Sequence, residues 1–491
     1  MRRWLFADQL GPHFLDDPNQ PVLLIESTRV LGRRRFHRQK AHLVLSALRH
    51  RAVELGEQAQ YVRVARYADA LDARGGEPLE VPHPTSWEAL DLVERRPEVT
   101  VVPTAGFACP PSEFVAWADS RGSRRLLMDD FYRGQRRRFD VLMDGSEPRG
   151  NKWNLDHDNR EPPPKRAVLG ADDPWWPVED EIDAEVRRDL DAMQASGEAS
   201  FVGHDGPRLF AATRAEALAA LEHFVRTRLP GFGPHEDAML AADWTMSHSL
   251  LSAPLNLGLL SPLEVVRAAE AAYLAGDAPL NSVEGFVRQV LGWREYIWQL
   301  YWYEGREFPR RNALEAHVPL PDWFRNLDAD AVQARCLSGV LGGVRDRGWV
   351  HHIPRLMVLG NYGLQRGWDP AELARWFHES FVDGYAWVMV SNVVGMSQHA
   401  DGGVLATKPY AAGGAYIDRM SDYCGGCAYN PKVRVGETAC PYTAGYWSFL
   451  DRQADRLAGN PRMRRALDGR HRLKDLGELL DQEQARGSAA P

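Results

Sequence analysis

The hydrophobic periodicity of this chain changes once along its length, and that change limits the architectures open to it. Through residues 1–130, short apolar runs alternate with helical stretches. "WLFAD" (4–8), "VLLIES" (22–27), "YVRVA" (61–65), "VTVVPTA" (99–105) and "RLLMD" (125–129) read as buried strands. Between the second and third, "QKAHLVLSALRHRAVELGE" carries apolar residues at helical spacing. Such alternation predicts a parallel, doubly wound, Rossmann-like α/β sheet. From about residue 210 only helical spacing remains, as in "RAEALAALEHFVRTRL", "SVEGFVRQVLGWREYIWQLYWYEG" and "PAELARWFHESF", so this half is predicted to be all-α. Residues 131–205 between them are rich in Pro, Gly, Asn and Asp and read as a connector holding one helix, "EIDAEVRRDLDAM". The expected divisions are 1–130, 131–205 and 206–491, with no internal repeat.

A chain of 491 residues is too long for one core. No apolar run approaches the length of a membrane span. The opening "MRRWLFADQLGPHF" lacks the apolar core and cleavage site of a secretory signal. Five cysteines in so long a chain are not a disulfide framework, so a reducing cytoplasm is the expected compartment. The net charge of -8 weighs against a nucleic-acid partner, although phosphate affinity follows local basic patches. Three basic stretches, 31–40, 131–140 and 461–474, are candidates, and each reads equally as a solvated helix face. The 16 tryptophans concentrate after residue 240 and suit a large core, the walls of a planar-ligand site, or steps for electrons. Only the closing "ARGSAAP" reads as disordered.

The first predicted strand ends in Asp8-Gln9. Ligands of doubly wound sheets bind beyond the carboxyl ends of the strands at a topological switch point, so Asp8, Gln9 and Leu10 are candidate ligand contacts. No GxGxxG follows, which excludes the dinucleotide fingerprint.

Three cysteines crowd into "SDYCGGCAYNPKVRVGETACPY" (421–442): Cys424 and Cys427 on a Gly-Gly turn, then Cys440 before a proline. Cys336 is the candidate fourth ligand, and Cys109 reads as an ordinary thiol. Four thiolates fit tetrahedral zinc or an iron–sulfur cluster, and the spacing leaves both open.

Three further segments follow in order: "WTMSHSLLSAPLNLGLLSP" (244–262), a candidate phosphate seat at a helix N-terminus; Trp293-Arg294-Glu295-Tyr296; and "FVDGYAWVMVSNVVGMSQHADGG" (381–403). Together they resemble the flavin domain of the photolyase and cryptochrome superfamily. With "KPYAAGGAYIDRMSDYCGGC", Cys336 and Cys440, the chain is similar to the iron–sulfur bacterial cryptochromes and photolyases, the prokaryotic (6-4) photolyases, over essentially its whole length.

That resemblance implies an N-terminal antenna domain and an all-α FAD-binding domain holding a [4Fe-4S] cluster on Cys336, Cys424, Cys427 and Cys440. It implies that Ser247, His248, Ser249 and Leu250 touch the FAD pyrophosphate and ribityl chain, that Arg294 pairs with Asp383 near the isoalloxazine ring, and that Trp293 walls the lesion site. It places His351 and His352 at the family's His-His pair, with His352 as lesion-side proton donor, and Trp376 as first electron donor to the flavin. The antenna pigment it implies is 6,7-dimethyl-8-ribityllumazine, beside Asp8, Gln9 and Leu10. The implied activity is light-driven repair of (6-4) photoproducts in UV-damaged DNA by a monomer. The rival readings are a cryptochrome-like blue-light photoreceptor on the same scaffold and a zinc protein that binds nucleic acid without photochemistry. The acidic "HEDAM" (235–239) is a candidate seat for Mg2+ or a surface turn. One departure stands out: Tyr385 and Met389 fall where the superfamily often carries Asp and a polar residue at the flavin edge. A methionine offers flavin N5 no useful hydrogen bond, and Asn392 lies three residues further on.

Overall fold

The computed structural model describes residues 1–491 except 165–168 and 170, which belong to the expected connector. Five parallel strands, β1 (Arg2–Leu5), β2 (Val22–Ser27), β3 (Ala59–Val64), β4 (Leu79–Pro82) and β5 (Val99–Val102), form one sheet in the order β3-β2-β1-β4-β5. The order reverses at β1, so the switch point lies between β1 and β4. β2 is buried along its whole length, as its unbroken apolar run requires in a sheet covered on both faces. Helix Arg38–Leu55 covers one face and packs against helix Glu181–Ala195. The latter starts where Asp180 accepts from the Ile182 and Asp183 amides.

Two strand expectations need correcting. "RLLMD" is not a strand: it leads into helix Met128–Phe139, whose first turn carries Asp129 and Asp130, where carboxylates suit the helix dipole. A five-residue apolar run cannot by itself distinguish a strand from a helix start. In its place stands β4, "LEVP", too short and Pro-terminated to show a period.

Beyond residue 206 the described residues form helices and loops with isolated bridges only. Four stretches wind as π-helix: Phe224–Arg228, Arg288–Arg294, Pro354–Gly360 and Ser391–Ser397. π-turns are rare and gather at functional sites. Here they carry Arg228, Trp293 with Arg294, Arg355, and Asn392.

The tail also differs from expectation. Instead of trailing into solvent, Pro491 is buried and Ala490 packs on the main core. No described helix is long and apolar enough to cross a membrane.

Candidate functional site

Residues 245–250 form a loop whose backbone is held under strain. Met246 (φ 45°) and Leu250 (φ 56°) both adopt left-handed conformations that side chains disfavour, and they bracket Ser247-His248-Ser249. Arg228, from the first π-turn, stabilises this shape. Its guanidinium has no carboxylate partner. It donates instead to the carbonyls of Thr245 (3.2 Å), His248 (3.3 Å) and Met246. Asp243 accepts from the Met246 amide at 2.8 Å. The loop is therefore shaped in advance of any ligand.

The His248 ring stacks on His351, centroids 4.2 Å apart. His248 Nε2 and His351 Nδ1 are both buried without a partner. Burial, reinforced by nearby arginines and histidines, pushes His248 down to about 3 and His351 well below the usual imidazole range. His352 is exposed, and desolvation by the surrounding protein, with Arg355 nearby, lowers it to about 4. All three imidazoles are neutral near pH 7.

Three residues beyond His352, Arg355 donates Nη1 and Nη2 to the two oxygens of Asp383 at 2.8 and 2.9 Å. Asp383 also accepts from Ser252 Oγ at 2.6 Å, and Asn256 holds its carbonyl at 3.0 Å. Burial disfavours the Asp383 charge, but Arg355 and these bonds outweigh it and hold the carboxyl below its usual range. The expected Arg294–Asp383 pair is thus corrected. Arg294 lies across the domain junction, donating to Gly106 O (3.0 Å) and Leu255 O (3.3 Å) with its guanidinium over Phe107. Glu295 accepts from the Ala108 and Cys109 amides at 2.9 and 3.0 Å. Together they clasp loop 106–109 of the α/β half.

Trp376 is buried against Phe324, Phe377 and Phe381, with its indole N–H unpartnered. Phe381 in turn lies under the Arg355 guanidinium. Trp293 is half-buried at the end of its π-turn. Asn392 donates to Val388 O at 2.9 Å within its own helix, and Met389 is buried.

At the switch point, half-buried Asp8 accepts from Thr85 Oγ1, and burial pushes its carboxyl up to about 6. Tyr67 and Tyr385 lie near enough for the Asp8 charge to push them further up; the Lys40 ammonium lies 5.5 Å over Tyr385 and donates to the carbonyls of His378 and Gly384. Gln9 is fully buried and bonds Pro82 O (3.0 Å) and the Phe6 amide (3.2 Å), so it shapes the switch point by joining the ends of β1 and β4. Leu10 is buried and joins the helical half through Leu257 O at 3.1 Å.

Cys336, Cys424, Cys427 and Cys440 all line one small cavity, with Tyr423, Tyr429 and Tyr442 as its aromatic roof. Burial and the neighbouring thiols raise Cys336 well above the ordinary range and Cys424 to about 12. Cys109 lies elsewhere, a buried thiol pushed up to about 12.

Each of two basic runs is split: Arg38 pairs with Asp191, Lys40 is buried and Arg136 bonds backbone carbonyls, while Arg33, Arg35, Arg133, Arg137 and Arg138 are exposed. In "HEDAM", burial raises Glu236 to about 7 and Asp237 to about 6. Asp156 completes this acidic group, but Arg288 (2.9 Å from Asp156) and Arg160 already supply its positive charge.

Over 488 residues the chain is 36% identical to a (6-4) photolyase from Agrobacterium fabrum, covering 94% of this chain and 93% of that one. The chain belongs to the photolyase–cryptochrome family, in the group of the bacterial (6-4) photolyases. Residues 3–199 match the family model described as deoxyribodipyrimidine photo-lyase-related protein. The fold agrees: a bacterial class III photolyase from Agrobacterium tumefaciens superposes with a TM-score of 0.53 at 14% identity, covering 100% of this chain and 97% of that one. A cryptochrome from Synechocystis gives 0.50 at 13%, over 81% and 82%. Within this family fold, Arg355, Arg228 and Ser252 are the site residues the sequence reading missed. Arg355 carried a signal: a cation in an apolar helical run with no acid one turn away needs a distant partner.

Proposed function

We propose that the protein is a light-driven photolyase that repairs (6-4) pyrimidine photoproducts in UV-damaged DNA. The observation that carries this reading is exposed His352, three residues before Arg355 of the Arg355–Asp383 pair. A (6-4) lesion needs a proton moved as its hydroxyl group goes back, and neutral His352 would accept the hydroxyl's proton and return it in the same cycle. The lesion, flipped out of the duplex, would stack on aromatic walls such as Trp293.

FAD, when bound, supplies the electron that opens the lesion. The residues present fit it. The pre-shaped Ser247–Ser249 loop offers a phosphate seat, the orphaned nitrogens of His248 and His351 offer polar contacts, and the Arg355–Asp383 pair offers fixed charge for the ring; Asn392 is read as a further polar contact to it. Trp376 is the electron donor of this reading, reached through Phe381. Arg294 acts through the domain clasp.

The four-thiol cavity is read as the seat of a [4Fe-4S] cluster, the group implied by the resemblance to the iron–sulfur photolyases and one that four cysteine thiolates fit. The Asp8 switch point, with Tyr67 and Tyr385 nearby, is read as the antenna site for 6,7-dimethyl-8-ribityllumazine. Mg2+ is left out, because arginines already neutralise the Glu236–Asp237 group.

Met389, buried where the resemblance expects a polar residue at the flavin edge, favours a second reading, a cryptochrome-like photoreceptor, because a thioether would offer flavin N5 no useful hydrogen bond. An anaerobic visible spectrum of the purified protein, followed by blue light, tests the shared chemistry. Flavin bands over a broad brown absorbance, with the flavin photoreducing, are expected. A colourless zinc protein would overturn both readings.

A further inference from the structure

Helix Leu476–Arg486 and the residues after it wrap the thiol cavity from outside. Asp475, at the helix start, holds Arg434 Nε with both oxygens at 3.0 and 2.8 Å. Gln482 accepts from the Gly436 amide at 2.7 Å. Both contacts fall on the loop between Cys427 and Cys440. The helix also packs against helix Pro441–Arg452, which begins one residue after Cys440. The Arg486 guanidinium lies over Tyr429, part of the cavity roof.

Past Gly487 the chain turns back. Ser488 O accepts from Trp323 Nε1 at 2.9 Å. Pro491 O accepts from the amides of Gln333 (2.6 Å) and Ala334 (3.0 Å). These two residues lead into helix Arg335–Arg347, which carries Cys336 in its first turn and has no side-chain cap. A carbonyl from the tail thus fixes the entry of the Cys336 helix, where its partial negative charge also suits the dipole.

The hold is broad but shallow. Only Leu479 and Glu483 are buried in helix Leu476–Arg486, and one eleven-residue helix with so little buried surface is marginal alone. The rest of the hold is one buried ion pair, Glu483 with Arg366, together with partly exposed ion pairs and a few backbone bonds, so the segment opens locally once that pair parts.

We propose that residues 475–491 are a removable strap over the four-thiol cavity. Docked, the strap joins the Cys336 helix to the Cys427–Cys440 loop and retains what the thiols bind. Released, it opens the way by which iron and sulfide enter. The iron part rests on the cluster reading above; the strap itself rests on the contacts.

The test compares the full chain with a variant lacking 488–491 and with Arg434→Gln, by hydrogen exchange at Gln333 and Ala334 and by iron release to ferrozine under reducing conditions. The deletion is expected to speed both about tenfold, the scale of losing two backbone hydrogen bonds. Arg434→Gln is expected to speed iron release and to blunt its dependence on salt, because its ion pair is screened. It also serves as the test if the deletion fails to fold. Rates within about twofold of the full chain in both variants would overturn the strap. If the purified protein holds no iron, the cluster reading fails, and the strap is judged by maleimide labelling of Cys336 and Cys440. Faster labelling in the variants supports it, and equal labelling overturns it.

Discussion

His248 and His351 lie face to face, their ring centroids 4.2 Å apart and their planes 24° from parallel. One comes from the strained loop held by Arg228, the other from the segment leading into the Pro354–Gly360 π-turn. Two imidazoles so close and so dry cannot both carry charge, so the stack works only as neutral rings.

The stack makes the protein acid-sensitive in a defined window. His248 is pushed down to about 3 and His352 to about 4, against an unfolded value of 6.5. The unfolded chain therefore takes up these protons first, and stability falls as pH drops from 6.5 toward 4. Urea unfolding at pH 7.5, 6 and 5 checks this. His248→Phe keeps a stacked ring and removes one titrating group, so it should flatten the slope by up to about 1.4 kcal/mol per pH unit.

Asp383→Asn leaves the Arg355 charge without its carboxylate in a buried site. Removing one partner of a buried ion pair costs about 3–5 kcal/mol, which urea unfolding would register. Flavin content should fall with it. Arg294→Lys should loosen the clasp on loop 106–109 while leaving the Arg355–Asp383 pair intact, which flavin content and limited proteolysis would show.

The sheet was largely legible because β1 and β2 are buried apolar runs followed by a helix of clear period; β3 and β5 were found as strands, but the burial expected of them fails because they are the partly exposed edges of the sheet. β4 escaped because four residues ending in Pro82 show no alternation. At the site, short-range spacing named His351, His352 and the Cys424–Cys427 turn. Long-range pairing was less visible: Asp383 has two buried arginines to choose from, and only the fold shows that Arg294 is committed to Gly106 and Leu255 while Arg355 faces the carboxylate. The docked tail was illegible for a related reason, since Ser488 and Pro491 are held through backbone carbonyls that any residue could supply.

Glu236 responds to pH in the opposite sense to the histidines. Burial raises its pKa to about 7 from an ordinary 4.5, so the unfolded chain loses this proton first and stability falls as pH rises between those values. Glu236→Gln removes the cost. Its stability relative to the parent should rise from pH 4.5 to 7, by up to about 1.4 kcal/mol per pH unit, and then level off. A constant difference across that range would contradict the assignment.

The most direct measurement is repair itself. An oligonucleotide carrying a single (6-4) photoproduct would be incubated with the reduced protein in blue light and in darkness, and its products separated by chromatography. The account predicts restored pyrimidines in the light only, and a loss of about a hundredfold or more in His352→Asn, the scale of a positioned general acid, with flavin content unchanged. An untouched lesion under light that photoreduces the flavin would contradict the repair claim and leave the photoreceptor reading in its place.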